Sequence, residues 1–157
     1  MEKVLLTGVT GFIGLHCCKQ LLDQGYAVRG SLRDKIRKEE VITAMKESNT
    51  SVENLEIIEL DLLNDEGWEE AGRDCEYVMH VASPISASDS VDEEVLIRPA
   101  VDGTLRALNA AKANKAKKVI LTSSVASIFY DDSDKKNYDE NDWSDIDSNK
   151  ITPYAKS

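Results

Sequence analysis

Three glycines, Gly8, Gly11 and Gly14, stand where one kind of sequence pattern gives way to another, and this constrains the fold more than any other feature. Residues 3–7 form a short run of branched and apolar residues that predicts a buried strand, and from Phe12 onward apolar residues recur at helical spacing. A strand, a tight turn and a helix in this order direct backbone N–H groups and the positive end of the helix dipole at one point. The stretch therefore predicts an anion-binding turn.

Each glycine has its own expected task if the anion is the diphosphate of a dinucleotide. Gly8 allows the turn, Gly11 lets the backbone approach the diphosphate, and Gly14 lets the helix pack closely on the strand. The spacing is G-x-x-G-x-x-G rather than the commoner G-x-G-x-x-G, and a turn with incidental glycines is the alternative. Because strand and helix patterns flank the loop in the required order, the dinucleotide site is the favoured interpretation.

The rest of the chain repeats this alternation of strands and helices. Strands are predicted at residues 26–32, 55–60, 77–81 and 119–122, and helices at 39–46 and 93–114. Alternation predicts an α/β fold, a Rossmann-type doubly wound parallel sheet with its sites at the carboxyl ends of the strands. The last of these helices is predicted to face the core through Leu96, Ala100, Thr104, Leu108 and Ala111.

Size, charge and cysteine content narrow the class of protein. The 157 residues are enough for about one domain, taken as 1–157, and the net charge of −10 argues against nucleic acid or an anionic membrane as partner. No apolar run approaches a membrane span and no signal-peptide pattern opens the chain, so a cytoplasmic location is expected. Cys17, Cys18 and Cys75 lack metal-ligand spacing and are interpreted as reduced core thiols, and no metal site is predicted.

The tip of the second strand indicates which dinucleotide is bound. Proteins that select NAD generally place an acidic residue about 20 residues past the glycine loop, where it binds the ribose 2′-hydroxyl. This chain has no carboxylate at the strand tip and has Arg33 there instead, within the basic run 33–38. A guanidinium fork suits a 2′-phosphate, so the predicted cofactor is NADP, with Arg33 as its ligand. For Lys35 and Arg37, a solvated helix start is an equal alternative.

Five sequence motifs carry a family resemblance. They are T-G-V-T-G-F-I-G at 7–14, V-R-x-x-x-R-D at 28–34, H-V-A-S-P at 80–84, D-E-x-x-W at 139–143 and P-Y-A-K-S at 153–157. Together they resemble the extended short-chain dehydrogenase/reductase family of the NAD-dependent epimerase/dehydratase superfamily. The branch of dihydroflavonol, cinnamoyl-CoA and ketone or aldehyde reductases is the most similar. The resemblance implies NADPH-dependent reduction of a small-molecule carbonyl to an alcohol or aldehyde.

The resemblance also implies cofactor contacts at the ends of the strands. Asp61 would lie near the adenine amino group and Leu62 against its ring, although a cap for the next short helix is an equal alternative for Asp61. A buried structural role is favoured for His80 over that of a catalytic base. The remaining contacts are assigned by matching the family's motifs to this chain. They are Gly8, Thr10, Gly11, Phe12, Ile13, Gly14, Arg33, Lys38, Val81, Ala82, Ser83, Thr122 and Tyr154.

Carbonyl reduction requires a hydride, which the nicotinamide supplies, and a proton for the oxygen. A serine hydroxyl and a tyrosine phenol can both hydrogen-bond that oxygen, and the phenol can donate the proton. Because a free phenol has a pKa of about 10, a neighbouring ammonium is useful to lower it. The family's Ser…Tyr-x-x-x-Lys pattern therefore implies that Ser124 and Tyr154 are catalytic, with Ser123 as a backbone or cofactor contact.

The lysine of this pattern would be residue 158, whereas Lys156 lies two residues from Tyr154 and on a different helix face. We therefore expect a sheet incomplete at its C-terminal end, no substrate-binding region, and no turnover by these 157 residues alone. The chain would be the cofactor-binding part of a longer reductase. Two alternatives stay open: a complete, non-catalytic NADP-binding or scaffold module, and a sugar-nucleotide epimerase or dehydratase. Uncovered faces would call for a second copy or another partner.

Overall fold

The computed structural model describes residues 1–84, 93–131 and 135–157. It contains one sheet of five parallel strands in the order β3-β2-β1-β4-β5. The strands are β1 (Lys3–Thr7), β2 (Ala27–Leu32), β3 (Leu55–Glu59), β4 (Tyr77–His80) and β5 (Lys118–Leu121). The helices are α1 (Phe12–Asp23), α2 (Lys38–Glu47), α3 (Trp68–Gly72), α4 (Glu93–Ala113) and α5 (Pro153–Lys156). The predicted Rossmann-type fold is confirmed, and strand order reverses between β1 and β4, the place where such sheets bind ligands.

Local residue chemistry accounts for where the helices begin and end. Gly25 adopts a left-handed conformation with φ 85°, and its N–H donates to the carbonyl of Leu22 at 3.0 Å, which closes the end of α1. At the start of α5, the Thr152 hydroxyl accepts from the Ala155 N–H at 3.2 Å and Pro153 fills the first helical position. Pro153 therefore suits the start of α5.

Side chains of β1 alternate between two hydrophobic clusters, one on each face of the sheet. Leu6 packs in a cluster with α1 and α2, whereas Leu5 packs in a cluster with α3 and α4. Cys18 and Cys75 are buried in these two clusters, and burial raises the pKa of the Cys18 thiol to about 12. The interpretation of the cysteines as free packing residues is thus confirmed, with Cys17 half-buried.

The predicted core face of α4 is wrong at Leu108, which is 41% exposed. Gly103 explains the difference, since a Cβ there would lie 2.6 Å from Cδ2 of Leu62. The helix therefore presents its small residues to the sheet, and the face that holds Gly103 and Ala107 is buried instead. Leu105 on the outer face is exposed.

The end of the sheet at β5 is less covered than its centre. Among the described residues, β5 pairs only with β4, and Leu121 at its end is exposed. The uncovered sheet edge and helix face that the sequence leads us to expect are thus present in the described part of the chain. That a second copy or another partner covers them stays a prediction.

Candidate functional site

The glycine loop is shaped by two contacts that no side chain could tolerate. Gly8 has φ 72°, and a Cβ there would lie 2.9 Å from the backbone N and Cα of Ala82. A Cβ on Gly14 would lie 2.1 Å from the carbonyl oxygen of Gly8. Gly11 differs from both, because it is exposed and its Cβ would meet nothing nearer than the Gly8 oxygen at 3.4 Å. Two glycines are thus required by the fold, while the third leaves bare backbone at the surface.

The first turn of α1 follows directly and offers free backbone donors. Its first helical hydrogen bond runs from the Leu15 N–H to the Gly11 carbonyl at 2.8 Å, and no side chain caps the helix start. The N–H groups of Phe12, Ile13 and Gly14 precede this bond and have no acceptor within the helix. Such a turn fits an anion with several oxygens, and a diphosphate is one.

Two of the predicted loop contacts have side chains that point into solvent. Phe12 is 79% exposed and Ile13 is 53% exposed, so the apolar residues that recur at helical spacing from Phe12 onward do not all face the core. Gly14, in the same helical turn, is the residue that is buried, where it packs against Gly8. The place of Phe12 and Ile13 in the site therefore depends on their backbone N–H groups, and Thr10 is half-buried within the same loop.

The basic run after β2 divides into paired and unpaired cations. The Lys35 ammonium lies 3.5 Å from a carboxylate oxygen of Glu59, and the Arg37 guanidinium lies 2.8 Å from one of Glu40. Within the described ranges, Arg33 has no ion pair or hydrogen-bonded partner. Of the two alternatives for Lys35 and Arg37, a solvated surface role is therefore the one the geometry supports.

Arg33 and Lys38 are both exposed at the carboxyl end of the sheet. Arg33 directly follows the last residue of β2, and Lys38 is the first residue of α2. The neighbouring Asp34 carboxylate accepts from the Ile36 N–H at 3.0 Å and caps the 3-10 turn 35–37. It therefore serves the backbone and leaves the Arg33 guanidinium available to an anion.

The end of β3 holds Asp61 and Leu62. The Asp61 carboxylate accepts from the Leu63 N–H at 2.9 Å and closes a turn, whereas α3 begins seven residues later after Gly67. Asp61 therefore does not cap the next helix, and that alternative is wrong. Leu62 is half-buried against Gly103, so part of its side chain belongs to the core. Contacts of Asp61 and Leu62 with an adenine stay predictions.

Sequence reasoning missed Thr7, which joins β1 to the segment after β4. Its side chain is buried, and Oγ1 accepts from the N–H groups of Val81 at 3.0 Å and Ala82 at 3.1 Å. This hydroxyl holds Ala82 beside Gly8. The loops that follow β1, β4 and β5 border the carboxyl edge of the sheet, which we call the cleft, and Ser83 is exposed there. The sequence signal for Thr7 was its place as a polar residue at the carboxyl end of the predicted strand, directly before the glycine loop.

The predicted catalytic residues lie at the other end of the cleft. Thr122 is exposed and its N–H donates to the His80 carbonyl at 3.0 Å, which extends β5 toward Ser124. The Ser124 oxygen accepts from the Ala126 N–H at 3.2 Å and caps the turn 125–127. Because α5 contacts that turn, the structure brings Tyr154, which is 44% exposed, to the same edge of the sheet as Ser124.

A second segment supports the turn that follows Ser124. The Ser144 hydroxyl donates to the Ala126 carbonyl at 2.8 Å and accepts from the Tyr130 N–H at 2.9 Å. The Ser144 N–H also donates to the Ser127 carbonyl at 2.8 Å. The segment that follows the D-E-x-x-W motif thus packs on the turn after Ser124 through Ser144, another residue that the sequence did not single out.

The described ranges contain neither a metal-ligand cluster nor a membrane-spanning helix. No group of three or more His, Cys, Asp or Glu side chains there has a metal-binding arrangement. No helix in those ranges is both long enough and apolar enough to cross a membrane.

The sheet order and the glycine cradle define a protein of the Rossmann class, in which such a turn receives the diphosphate of a dinucleotide. The NAD dependent epimerase/dehydratase family matches residues 4–157. The chain therefore belongs to this family, as one of its extended short-chain dehydrogenases/reductases, and the resemblance seen in the motifs is confirmed.

Similar proteins include plant and yeast reductases. The chain is 33% identical over 92% of its length to the bifunctional dihydroflavonol 4-reductase/flavanone 4-reductase of Malus domestica, of which it covers 42%. The crystal structure of yeast methylglyoxal/isovaleraldehyde reductase complexed with NADPH matches with TM-score 0.80 at 27% identity, over 99% of this chain and 48% of that one. Vestitone reductase from alfalfa matches with TM-score 0.77 at 32% identity, over 94% and 44% respectively. The chain spans less than half the length of these relatives.

Proposed function

We propose that this chain is the NADPH-binding part of a carbonyl reductase. The observation that carries the proposal is the pairing of a glycine cradle with Arg33, a cation without an ion-pair partner in the described ranges, at the tip of the neighbouring strand. A diphosphate would occupy the turn at Gly8, Gly11 and Gly14, where a Cβ would obstruct either the fold or the ligand. When bound, NADPH supplies a hydride.

Arg33 is the residue that we assign to the 2′-phosphate. Its guanidinium can donate two parallel hydrogen bonds to phosphate oxygens, and Asp34 is already engaged with the backbone. Lys38 adds a second positive charge at the start of α2, where a bound anion is also favoured. The complex of the similar yeast reductase with NADPH supports this choice of dinucleotide.

At the catalytic end, Ser124 and Tyr154 would bind the carbonyl oxygen of the substrate. The Ser124 oxygen accepts from the Ala126 N–H, which leaves the hydroxyl hydrogen to donate to that oxygen. The Tyr154 phenol would donate the proton as negative charge develops on the oxygen. In a chain with lysine at residue 158, an ammonium one helical turn beyond Tyr154 would assist this transfer.

The substrate that we propose is a small ketone or aldehyde, with dihydroflavonol-like and acyl-CoA-like compounds in the same class. Support comes from the names of the similar proteins, which are reductases of a dihydroflavonol, of vestitone and of methylglyoxal or isovaleraldehyde. We place the protein in the cytoplasm. We assign it no nucleic-acid partner, because its net charge is −10.

A matched pair of arginine variants tests the cofactor assignment. Arg33→Gln should raise the Kd for NADPH by about tenfold or more and leave the Kd for NADH unchanged, because it removes a charge-assisted hydrogen bond to the 2′-phosphate. Arg37→Gln removes the same side chain four residues away, where Glu40 already neutralises it, and should change neither Kd. Fluorescence titration gives both constants. A wild-type Kd ratio near one, or equal effects of the two variants, would contradict the proposal.

The chemical role of Tyr154 is tested in a chain that extends past Ser157. Tyr154→Phe should abolish carbonyl reduction and leave the Kd for NADPH within about twofold, because the ring remains and only the proton donor is lost. Steady-state kinetics with NADPH and a panel of aldehydes and ketones measures the first effect. Retained turnover would exclude Tyr154 as the proton donor, and no turnover by the unmodified longer chain would favour the non-catalytic module.

A further inference from the structure

A buried polar pair lies behind the cofactor cleft and has no part in the proposed chemistry. Thr7 at the end of β1 is paired in register with His80 at the end of β4. The Thr7 Oγ1 atom lies 2.9 Å from Nδ1 of His80, and the two residues are only 1% and 3% exposed. A buried polar pair of this kind is costly unless its hydrogen bonds are satisfied, so its arrangement can be worked out by counting donors and acceptors.

The hydrogen bonds of Thr7 determine the protonation of the imidazole. A hydroxyl group has one hydrogen and two acceptor sites. The N–H groups of Val81 and Ala82 use both acceptor sites, so the hydroxyl hydrogen is directed at Nδ1 of His80. Nδ1 must then be the unprotonated nitrogen, and Nε2 carries the proton. A protonated imidazole would bring a third donor to an oxygen that has no acceptor site left.

The surroundings of His80 favour the same neutral state. Trp68 of α3 packs edge-on against the imidazole, with ring centroids 6.3 Å apart. On the neighbouring strand β5, Leu121 is paired in register with His80. Burial lowers the pKa of His80 from 6.5 to about 4, and no charged group of the described ranges contributes to this shift. The imidazole is therefore neutral near pH 7, which is the state that the hydrogen-bond count requires.

The pair controls where two walls of the cleft meet. Val81 and Ala82 form the wall that follows β4, and Gly8 begins the wall formed by the glycine loop. The two backbones are already in contact, since a Cβ on Gly8 would lie 2.9 Å from Ala82. Rotation of the Thr7 hydroxyl away from these N–H groups would leave two donors unpaired and free the Ala82 segment to move from Gly8.

We propose that His80 is a positioning residue of the dinucleotide cleft. Its Nδ1 accepts the Thr7 hydroxyl hydrogen and thereby keeps the Thr7 oxygen aimed at the Val81 and Ala82 N–H groups, which hold the two walls together. The identity of the ligand rests on the proposed function, whereas the positioning role concerns the ligand-free protein as well. His80 itself takes no part in proton transfer to the substrate.

Two substitutions of His80 separate an acceptor from a space-filling group. His80→Asn places an amide oxygen near the position of Nδ1 and can still accept from Thr7, whereas His80→Leu is apolar and cannot. Amide hydrogen exchange in the ligand-free protein is the first readout. His80→Leu should speed exchange at Val81 and Ala82 by about tenfold, and His80→Asn should restore most of the protection. The amide of Val28 in β2 donates to the Asn54 carbonyl, and its exchange reports whether global stability has changed.

The second readout is the nitrogen spectrum of the wild-type imidazole, which needs no variant and therefore holds if His80→Leu does not fold. We expect an unprotonated Nδ1 and a protonated Nε2 near pH 7. A proton on Nδ1 would overturn the proposal, as would equal exchange at Val81 and Ala82 in both variants and the wild type.

The third readout is NADPH binding, which separates failure of this proposal from failure of the proposed function. His80→Leu should raise the Kd by about tenfold and His80→Asn by less than about twofold. If the wild type binds no NADPH but exchange follows the expected pattern, the positioning role stands and the proposed function fails. If the wild type binds NADPH and both variants bind it equally well with unchanged exchange, the positioning role fails.

Discussion

The two ends of the cleft are built in different ways. At the glycine loop, the backbones of Gly8, Gly14 and Ala82 are in contact, and the buried Thr7 hydroxyl joins the neighbouring strands. At the end that carries Ser124, short turns hold the backbone, and the hydroxyls of Ser124 and Tyr154 are partly open to solvent. The first end is specified by backbone geometry, while the second depends on side chains that are partly exposed.

Position in the sheet explains this difference. β1 is paired on both sides, so the loop at its end is enclosed by β2 and β4. Within the described ranges, β5 is paired only with β4, and α5, which carries Tyr154, is four residues long. A central position is over-determined by its neighbours, whereas an edge position is not. We therefore expect substitutions at buried positions of the first end to affect folding and binding together, and those at the second to affect mainly chemistry.

The largest effect should come from Gly14→Ala. A methyl group 2.1 Å from the Gly8 oxygen forces the loop apart, so we expect the free energy of unfolding to fall by about 3 kcal/mol and NADPH binding to be lost. Gly11→Ala is the matched control. Its methyl group has room, so stability should fall by less than about 1 kcal/mol while NADPH binding weakens by about tenfold or more. Urea denaturation and fluorescence titration measure the two quantities, and equal losses of stability would contradict this account.

The second largest effect is the pH dependence of stability that His80 causes at the glycine-loop end of the cleft. Because burial lowers the pKa of His80 to about 4 from 6.5, the unfolded chain binds a proton that the folded protein excludes. This contribution to stability is present above about pH 6.5 and is lost as the pH falls toward about 4. A fall from about pH 7 to about pH 5 should therefore lower the free energy of unfolding by about 2 kcal/mol.

Denaturation curves at several pH values measure this loss. His80→Asn should flatten the pH dependence of the unfolding free energy by that amount. His16→Asn, at the exposed histidine of α1, is the control for removal of an imidazole. A His80→Asn curve parallel to that of the wild type would show that His80 does not carry the effect.

The smallest effect on stability should come from the open end. Ser144→Ala removes one hydrogen bond to the Ala126 carbonyl and one from the Tyr130 N–H, which should cost about 1 kcal/mol. In a chain that extends past Ser157, kcat should fall while the Kd for NADPH stays unchanged, because the turn after Ser124 loses its support. Ser51→Ala, at an exposed serine beyond α2, is the control. A change in NADPH affinity equal to the change in kcat would erase the contrast between the two ends.

Much of the fold could be predicted because its signals are local. The residue patterns predicted all five strands to within one residue at each end, and the glycine loop was placed at the correct strand end. The faces of the helices were harder to predict. Ile13 in α1 and Leu108 in α4 are both exposed, although helical spacing places each of them among apolar residues. Helical spacing shows which residues share a face, but the contact that turns the helix, such as Gly103 on Leu62, comes from another element.

In the candidate site, too, some features are set by local sequence and others by tertiary contacts. The sequence by itself determined that a glycine turn would join the first strand to a helix and that Arg33 would follow the second strand, since these depend on a missing Cβ and on residue order. Only the tertiary structure decided that Arg37 is paired while Arg33 has no ion pair in the described ranges, and that the Thr7 hydroxyl meets His80, 73 positions away. The physical reason is that hydrogen bonds and ion pairs require their atoms within about 3 to 4 Å. Residues so distant in sequence come that close only once their strands adjoin in the sheet.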